Sequence, residues 1–167
     1  MTRFLITAAF AALAAPAFAA GHVDVSGLKG DPAAGEEQFN RQCVACHVIV
    51  DDAGETIAGR NMRTGPNLYG VAYRTIGSHP DFEGKYSDAL VTMGENGRIW
   101  TQEDFVGYVQ EPTPWLREEL EDRRARGKMA YQVRDEQQAY DLFAYLVSVG
   151  PELTEEQQAA LEADTAE

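Results

Sequence analysis

Two cysteines occur in the whole chain, and both fall in one stretch, NRQCVACHVIV (residues 40–50), with a histidine directly after the second. Cys43, Cys46 and His47 stand at i, i+3 and i+4, so on a helical turn they project from one face. Two thiols on that face can add to the two vinyl groups along one edge of a haem. The imidazole of the next residue then lies over the macrocycle and reaches the iron. The pattern therefore reads as a c-type haem attachment site. Other readings account for less of it. A structural zinc site wants four ligands, and only His22 and His79 remain to complete one. A thiol–disulfide oxidoreductase uses the same cysteine spacing but in a βαβ setting that this chain lacks. A plain disulfide, available after export, leaves His47 without a task.

The first residues agree with export. MTRFLITAAFAALAAPAFAA has one cation, Arg3, then an apolar run, then Ala17-Phe18-Ala19, a small-x-small cleavage pattern. This is the form of a secretory signal peptide. The run is too short to span a bilayer and contains Pro16. Residues 1–19 are expected to be removed, and no later segment is apolar for long enough to cross a membrane. About 148 residues then remain, enough for one domain. The 14 basic and 27 acidic side chains give a net charge of −13, and loss of Arg3 makes it −14. Nucleic acid, which needs a basic footprint, is excluded as a partner.

Helix starts are frequent and strand-like alternation is scarce, so the class expected is all-α. Asp31-Pro32 opens a helix that runs into the cysteines. Ser87 caps DALVTM, and Thr101 caps QEDFVGYVQ, which Pro112 ends. Thr113-Pro114 is expected to open a helix through WLREELEDRRAR, closed by Gly127. Asp135 with Gln138 forms a capping box for EQQAYDLFAYLVSV, where Tyr140, Phe143, Ala144 and Val147 recur at helical intervals and should face the core. Thr154 with Gln157 forms another box, opening an acidic tail. That tail has only Leu153 and Leu161 as large apolar residues. Its deletion is therefore expected to leave the spectrum and potential nearly unchanged.

From Asp51 to Gly84 six glycines and two prolines occur with no sustained period. Such a long loop region needs something else to organise it, and a flat apolar haem would do so. The other face of the iron has five candidates: Met62, Met93, Met129, His22 and His79. Met93 reads as a core residue, Met62 lies in a polar loop close to the cysteines, His22 stands near the start, and His79 reads as a solvated loop histidine. Spacing alone favours Met129, in RGKMAYQV, where Gly127 and Ala130 let the loop approach, without closing the question.

Several segments, in order, resemble the class I cytochromes c, and among them the bacterial cytochrome c2 type. They are GDPAAGEEQF before CVACH, then TGPNLYGVAYRTIG, YSDAL, WTQEDFVGYVQEP, GKMAY and DLFAYLVSV. The likeness covers roughly residues 30–150. It implies a class I cytochrome c fold over 20–150, with short helices and long loops wrapped around one covalent haem c, and an acidic C-terminal extension over 151–167. It also implies Met129 as the sixth ligand opposite His47. Pro66 would accept the Nδ1 proton of His47, Arg74, Tyr86 and Trp100 would meet a haem propionate, and Tyr108 would lie near the methionine sulfur. Gly35, Phe39 and Tyr145 match positions where the first and last helices of the family cross.

The resemblance implies a monomeric periplasmic one-electron carrier rather than an enzyme. Its donor would be a quinol:cytochrome c oxidoreductase, and its acceptor a reaction centre, oxidase or reductase. The alternative is a haem-containing subunit serving a periplasmic reductase or peroxidase, which would need an open or labile iron position. Two departures stand out. Many members carry a lysine-rich ring at the haem edge, whereas this chain has only Lys29, Lys85 and Lys128; its tail adds six acids and no cation.

Overall fold

A computed structural model describes residues 23–166. The expected leader and His22 lie outside the described residues. Helix α1 (Pro32–Gln42) begins as its sequence requires: the Asp31 carboxylate accepts from the Ala33 amide, and Pro32 takes the first position, where no amide donor is needed. It continues into a 3-10 turn, Cys43–Ala45, whose Cys43 carbonyl accepts from the amides of Cys46 (3.0 Å) and His47 (2.9 Å). The attachment motif is thus the tightened end of α1.

Two short strands interrupt the loop region that follows. β1 (Ile49–Val50) pairs antiparallel with β2 (Thr56–Ala58). Asp51 makes their turn, its Oδ1 accepting from the amides of Ala53 (3.0 Å) and Glu55 (2.8 Å), and Gly54 supplies a φ of +84°. The sequence showed no period here because strands this short carry none.

Helix α2 (Asp88–Glu95) is capped by Ser87, whose hydroxyl accepts from the Leu90 amide, and α3 (Gln102–Gln110) by Thr101, which accepts from the Asp104 amide. Helix α4 (Pro112–Glu119) departs from expectation at both ends. It starts at Pro112 after an N-cap at Glu111, and it stops seven residues before Arg126. Glu121 takes a left-handed φ of +49°, and Asp122 Oδ1 accepts from the Arg124 amide, which closes a separate turn. Glu119 is engaged by Arg98 (2.9 Å), which also bonds Asp104, rather than by Arg123. Local helix propensity loses to these tertiary bonds.

Helix α5 (Glu136–Ser148) starts at Asp135, which accepts from the Gln138 amide, and its residues 139–147 are all buried, more than the one face expected. It crosses α1 closely. A Cβ at Gly35 would stand 2.0 Å from the Asp141 carbonyl oxygen, so only glycine fits. Phe39 and Tyr145 pack with ring centroids 5.8 Å apart. The buried Asp141 side chain accepts from the Asp31 amide (2.8 Å) and Gln137 Nε2 (2.9 Å), so it is not left unsatisfied.

The tail forms α6 (Glu155–Thr165), with both halves of the Thr154/Gln157 box made. It is attached more closely than its composition suggests. Leu161 is 4% exposed. Asp164 Oδ2 accepts from the Gln102 amide at the start of α3 (2.6 Å), and Gln157 Nε2 reaches the Tyr73 carbonyl (3.4 Å). One buried leucine and an acceptor at a helix N-terminus are enough to hold a largely polar helix. Leu161→Ala should therefore lower the unfolding free energy by ~2–3 kcal/mol in a urea titration while leaving the visible spectrum unchanged. Unaltered stability would show that α6 is undocked in solution.

Candidate functional site

A cavity of ≈ 270 Å³ lies between α1, α3 and α5. Cys43, Cys46 and His47 line it from the end of α1, and Met129 from the loop before α5. Phe39, Leu68, Val71, Leu90, Leu142 and Leu146 make much of its apolar wall, with Arg74, Tyr86, Trp100 and Tyr108 also lining it.

His47 is fixed by its neighbours. Its Nδ1 donates to the Pro66 carbonyl at 2.9 Å, which leaves Nε2 as a bare acceptor. Burial lowers its pKa, with the Pro66 bond opposing that in smaller measure, so the ring is held neutral. Gly65 lies flat against the imidazole: a Cβ there would stand 2.3 Å from Cε1 and 2.6 Å from Nδ1. Sequence reasoning missed this residue, although its place directly before Pro66 was the available signal. The Cys43 thiol is pushed up to about 12 by burial, with Cys46 adding to the effect. An unreacted Cys43 would thus stay protonated, the reverse of an oxidoreductase nucleophile.

Among the described candidates for the second axial position, Met129 shares the cavity with His47. Met93 is 1% exposed in the core, as expected, and Met62 is 40% exposed on a separate hollow. His79 differs from its reading as a solvated residue. It is 9% exposed, and its Nδ1 accepts from the Asp81 amide (3.2 Å), capping the 3-10 turn Pro80–Phe82. It lines the second hollow, of ≈ 560 Å³, rather than the cavity.

Arg74 and Trp100 are positioned together by a backbone ladder: Tyr73 N bonds Trp100 O, and Trp100 N bonds Arg74 O, each at 2.9 Å. Arg74 donates Nη1 to the Tyr69 carbonyl (2.9 Å), but its Nε is buried with no partner, and burial lowers its pKa. A buried guanidinium with an unspent donor suits an anion. Trp100 packs 5.1 Å from the ring of Tyr108, and burial lifts the phenols of Tyr108 and Tyr86 above their usual range, so both stay protonated. The donor set fits a haem: two thiols, a neutral imidazole, a thioether, apolar walls and a half-buried guanidinium whose Nε has no protein partner for its acidic edge.

No family model matches the chain. Individual relatives do. Cytochrome c2 of Rhodovulum adriaticum is 55% identical over 128 residues, covering 77% of this chain and 97% of that protein. Cytochrome c2 of Cereibacter sphaeroides is 50% identical over 142 residues, covering 85% and 90%. The crystal structure of cytochrome c2 from Rhodobacter sphaeroides superposes with a TM-score of 0.71 at 49% identity, covering 74% of this chain and 99% of that one.

The Gly65 contact gives a direct test. Gly65→Ala should displace the His47 ring, break its bond to Pro66 and lower the yield of haem-bearing protein several-fold. The ratio of haem absorbance to polypeptide in the purified protein measures this, and a wild-type ratio would mean that the ring can shift freely.

Proposed function

The chain belongs to the cytochrome c2 family, and on that premise we propose that it is a periplasmic one-electron carrier whose haem is ligated by His47 and Met129. Membership brings one covalent haem c, joined through Cys43 and Cys46, and makes the protein an electron carrier rather than an enzyme. Bound haem c supplies one-electron chemistry, its iron alternating between ferric and ferrous. The single observation that supports the finer reading is that Met129 lines the cavity of His47, while Met62, Met93 and His79 do not.

Each residue then has a task. Pro66 orients the His47 ring and makes its free nitrogen a better donor. Met129 contributes a thioether, which favours the reduced form more than a second imidazole would. Arg74, Tyr86 and Trp100 would face the acidic edge, Arg74 through its unpaired Nε. Tyr108, buried beside Trp100, lines the same cavity as Met129 and would lie near its sulfur. The apolar lining keeps water from the site, so little needs to reorganise as charge changes. His47 and Met129 would both hold the haem and leave no position for a substrate, which separates this reading from a reductase or peroxidase subunit.

In this reading residues 1–19 are a leader, 20–150 the cytochrome domain and 151–167 an extension, and the exported protein acts as a monomer. Its donor is a quinol:cytochrome c oxidoreductase and its acceptor a reaction centre, oxidase or reductase. The exposed Arg123, Arg124 and Arg126 directly precede the Met129 segment and supply a cationic approach in an otherwise acidic chain.

Met129→His should keep two axial ligands but lower the midpoint potential, by replacing thioether with imidazole. A potentiometric titration checks this, and an unchanged midpoint would return the ligand to Met62 or another residue. The wild-type ferrous spectrum should not respond to carbon monoxide.

Reversing Arg123 and Arg124 to glutamate should slow electron transfer with the native partner ~10-fold at low salt and flatten its salt dependence. The midpoint should barely move. Equal rates at low ionic strength would assign docking to another face.

A further inference from the structure

Lys128 is exposed and follows a run of arginines, so by composition it reads as one more docking cation. Its geometry gives it another task. Its ammonium donates to two backbone carbonyls, Lys85 O at 2.8 Å and Tyr86 O at 2.7 Å, which lie 43 and 42 residues earlier in the chain. Lys85, Tyr86, Lys128 and Met129 all line the haem cavity. One side chain therefore joins two separate parts of the cavity wall, one residue before the proposed ligand.

The remaining ties of this loop run elsewhere. The Gly127 amide donates to Thr113 Oγ1 on α4 (3.0 Å), and the Val133 amide to the Val109 carbonyl on α3 (2.9 Å). Among the described residues, the bonds of Lys128 are the ones that tie residues 128–132 to the 85–86 segment. That segment is a firm anchor. Ser87 caps α2, the Lys85 amide bonds the Phe82 carbonyl (3.1 Å), and the rings of Phe82 and Tyr86 pack edge to face at 5.0 Å. An ammonium has three donors and a point charge, so two carbonyls can share it with good geometry. Bonds to a charged donor are stronger than those between neutral groups.

We propose that Lys128 is a positioning residue that latches the Met129 loop across the cavity and so controls how readily an external ligand displaces the Met129 thioether. The proposal rests on Met129 being the sixth ligand. Displacement needs the loop to swing out, and its rate follows the population of the open form. Removing the latch raises that population without touching a haem ligand. A positive charge kept at the surface for docking would have no such effect.

The test is binding of imidazole to the ferric holoprotein, followed by loss of the sulfur-to-iron charge-transfer absorption in stopped flow. Wild type, Lys128→Leu and Lys128→Arg are compared, with Lys128→Gln in place of the leucine variant if that one folds poorly. Lys128→Leu should react ~10-fold faster, the size of effect expected for lost charge-assisted hydrogen bonds. Lys128→Arg, which keeps charged donors, should stay within about two-fold of wild type. Equal rates in all variants, with the absorption present in wild type, would overturn the latch and leave the ligation reading standing. Slower electron transfer with the partner but unchanged imidazole binding would make Lys128 a docking cation only, which also overturns it. Absence of the absorption in wild type would overturn the ligation reading, and the latch with it.

Discussion

Where α1 crosses α5, a methyl group at position 35 would lie 2.0 Å from the Asp141 carbonyl oxygen, and this contact sets the distance between the two sides of the cavity. Helix α1 leads into the 3-10 turn that carries Cys43, with Cys46 and His47 directly after it, while α5 supplies Leu142 and Leu146 to the same cavity. Any side chain at position 35 would part the helices and change the gap that the haem must fill. The crossing is secured by a buried carboxylate as well as by shape, since Asp141 takes up the Asp31 amide that begins α1. That bond links the start of the first helix to the middle of α5. Burial of a macrocycle against the apolar walls then completes a core that side chains alone do not fill.

Local chemistry made much of this legible. Asp31, Ser87, Thr101, Asp135 and Thr154 are short polar residues that stand at helix starts, and each accepts an amide bond there. The attachment motif was legible for the same reason, because all its parts lie within one turn. What escaped depends on contacts between distant segments. The end of α4 is set by Arg98 holding Glu119, from 21 residues away. Burial of His79 follows from the packing around the second hollow, and docking of α6 from a single leucine and one carboxylate. Gly65 was missed because close approach to a ring leaves no periodic trace. For Met129, spacing narrowed the choice, and the family resemblance singled it out.

The loops, rather than the helices, carry most of the residues that make the cavity specific. Pro66, Arg74, Tyr86, Trp100 and Met129 all lie outside α1–α6. They keep their positions through bonds that are individually modest: a carbonyl on the His47 ring, a two-rung ladder between 73–74 and 100, and the Lys128 bridge. Such an arrangement lets the contacts along the cavity vary while the helical frame stays the same. It also makes the loop bonds the points at which the cavity lining can be altered without disturbing the helical frame.

Docking of α6 changes what the acidic charge of this chain can do. A free tail with five acids between residues 152 and 164 would spread its field over many orientations and act mainly as screening. A helix fixed by Leu161 and Asp164 holds those charges at set positions relative to Arg123, Arg124 and Arg126. Burial raises the pKa of Asp164, and its bond to the Gln102 amide opposes that shift. Fixed charges of both signs add up to a permanent dipole, and a dipole exerts a torque on an approaching protein before contact is made. The chain has only three lysines, Lys29, Lys85 and Lys128, so its cationic face is made mainly of arginine. Orientation through fixed charges is a physical means by which a carrier of net charge −13 can be turned as it approaches another protein.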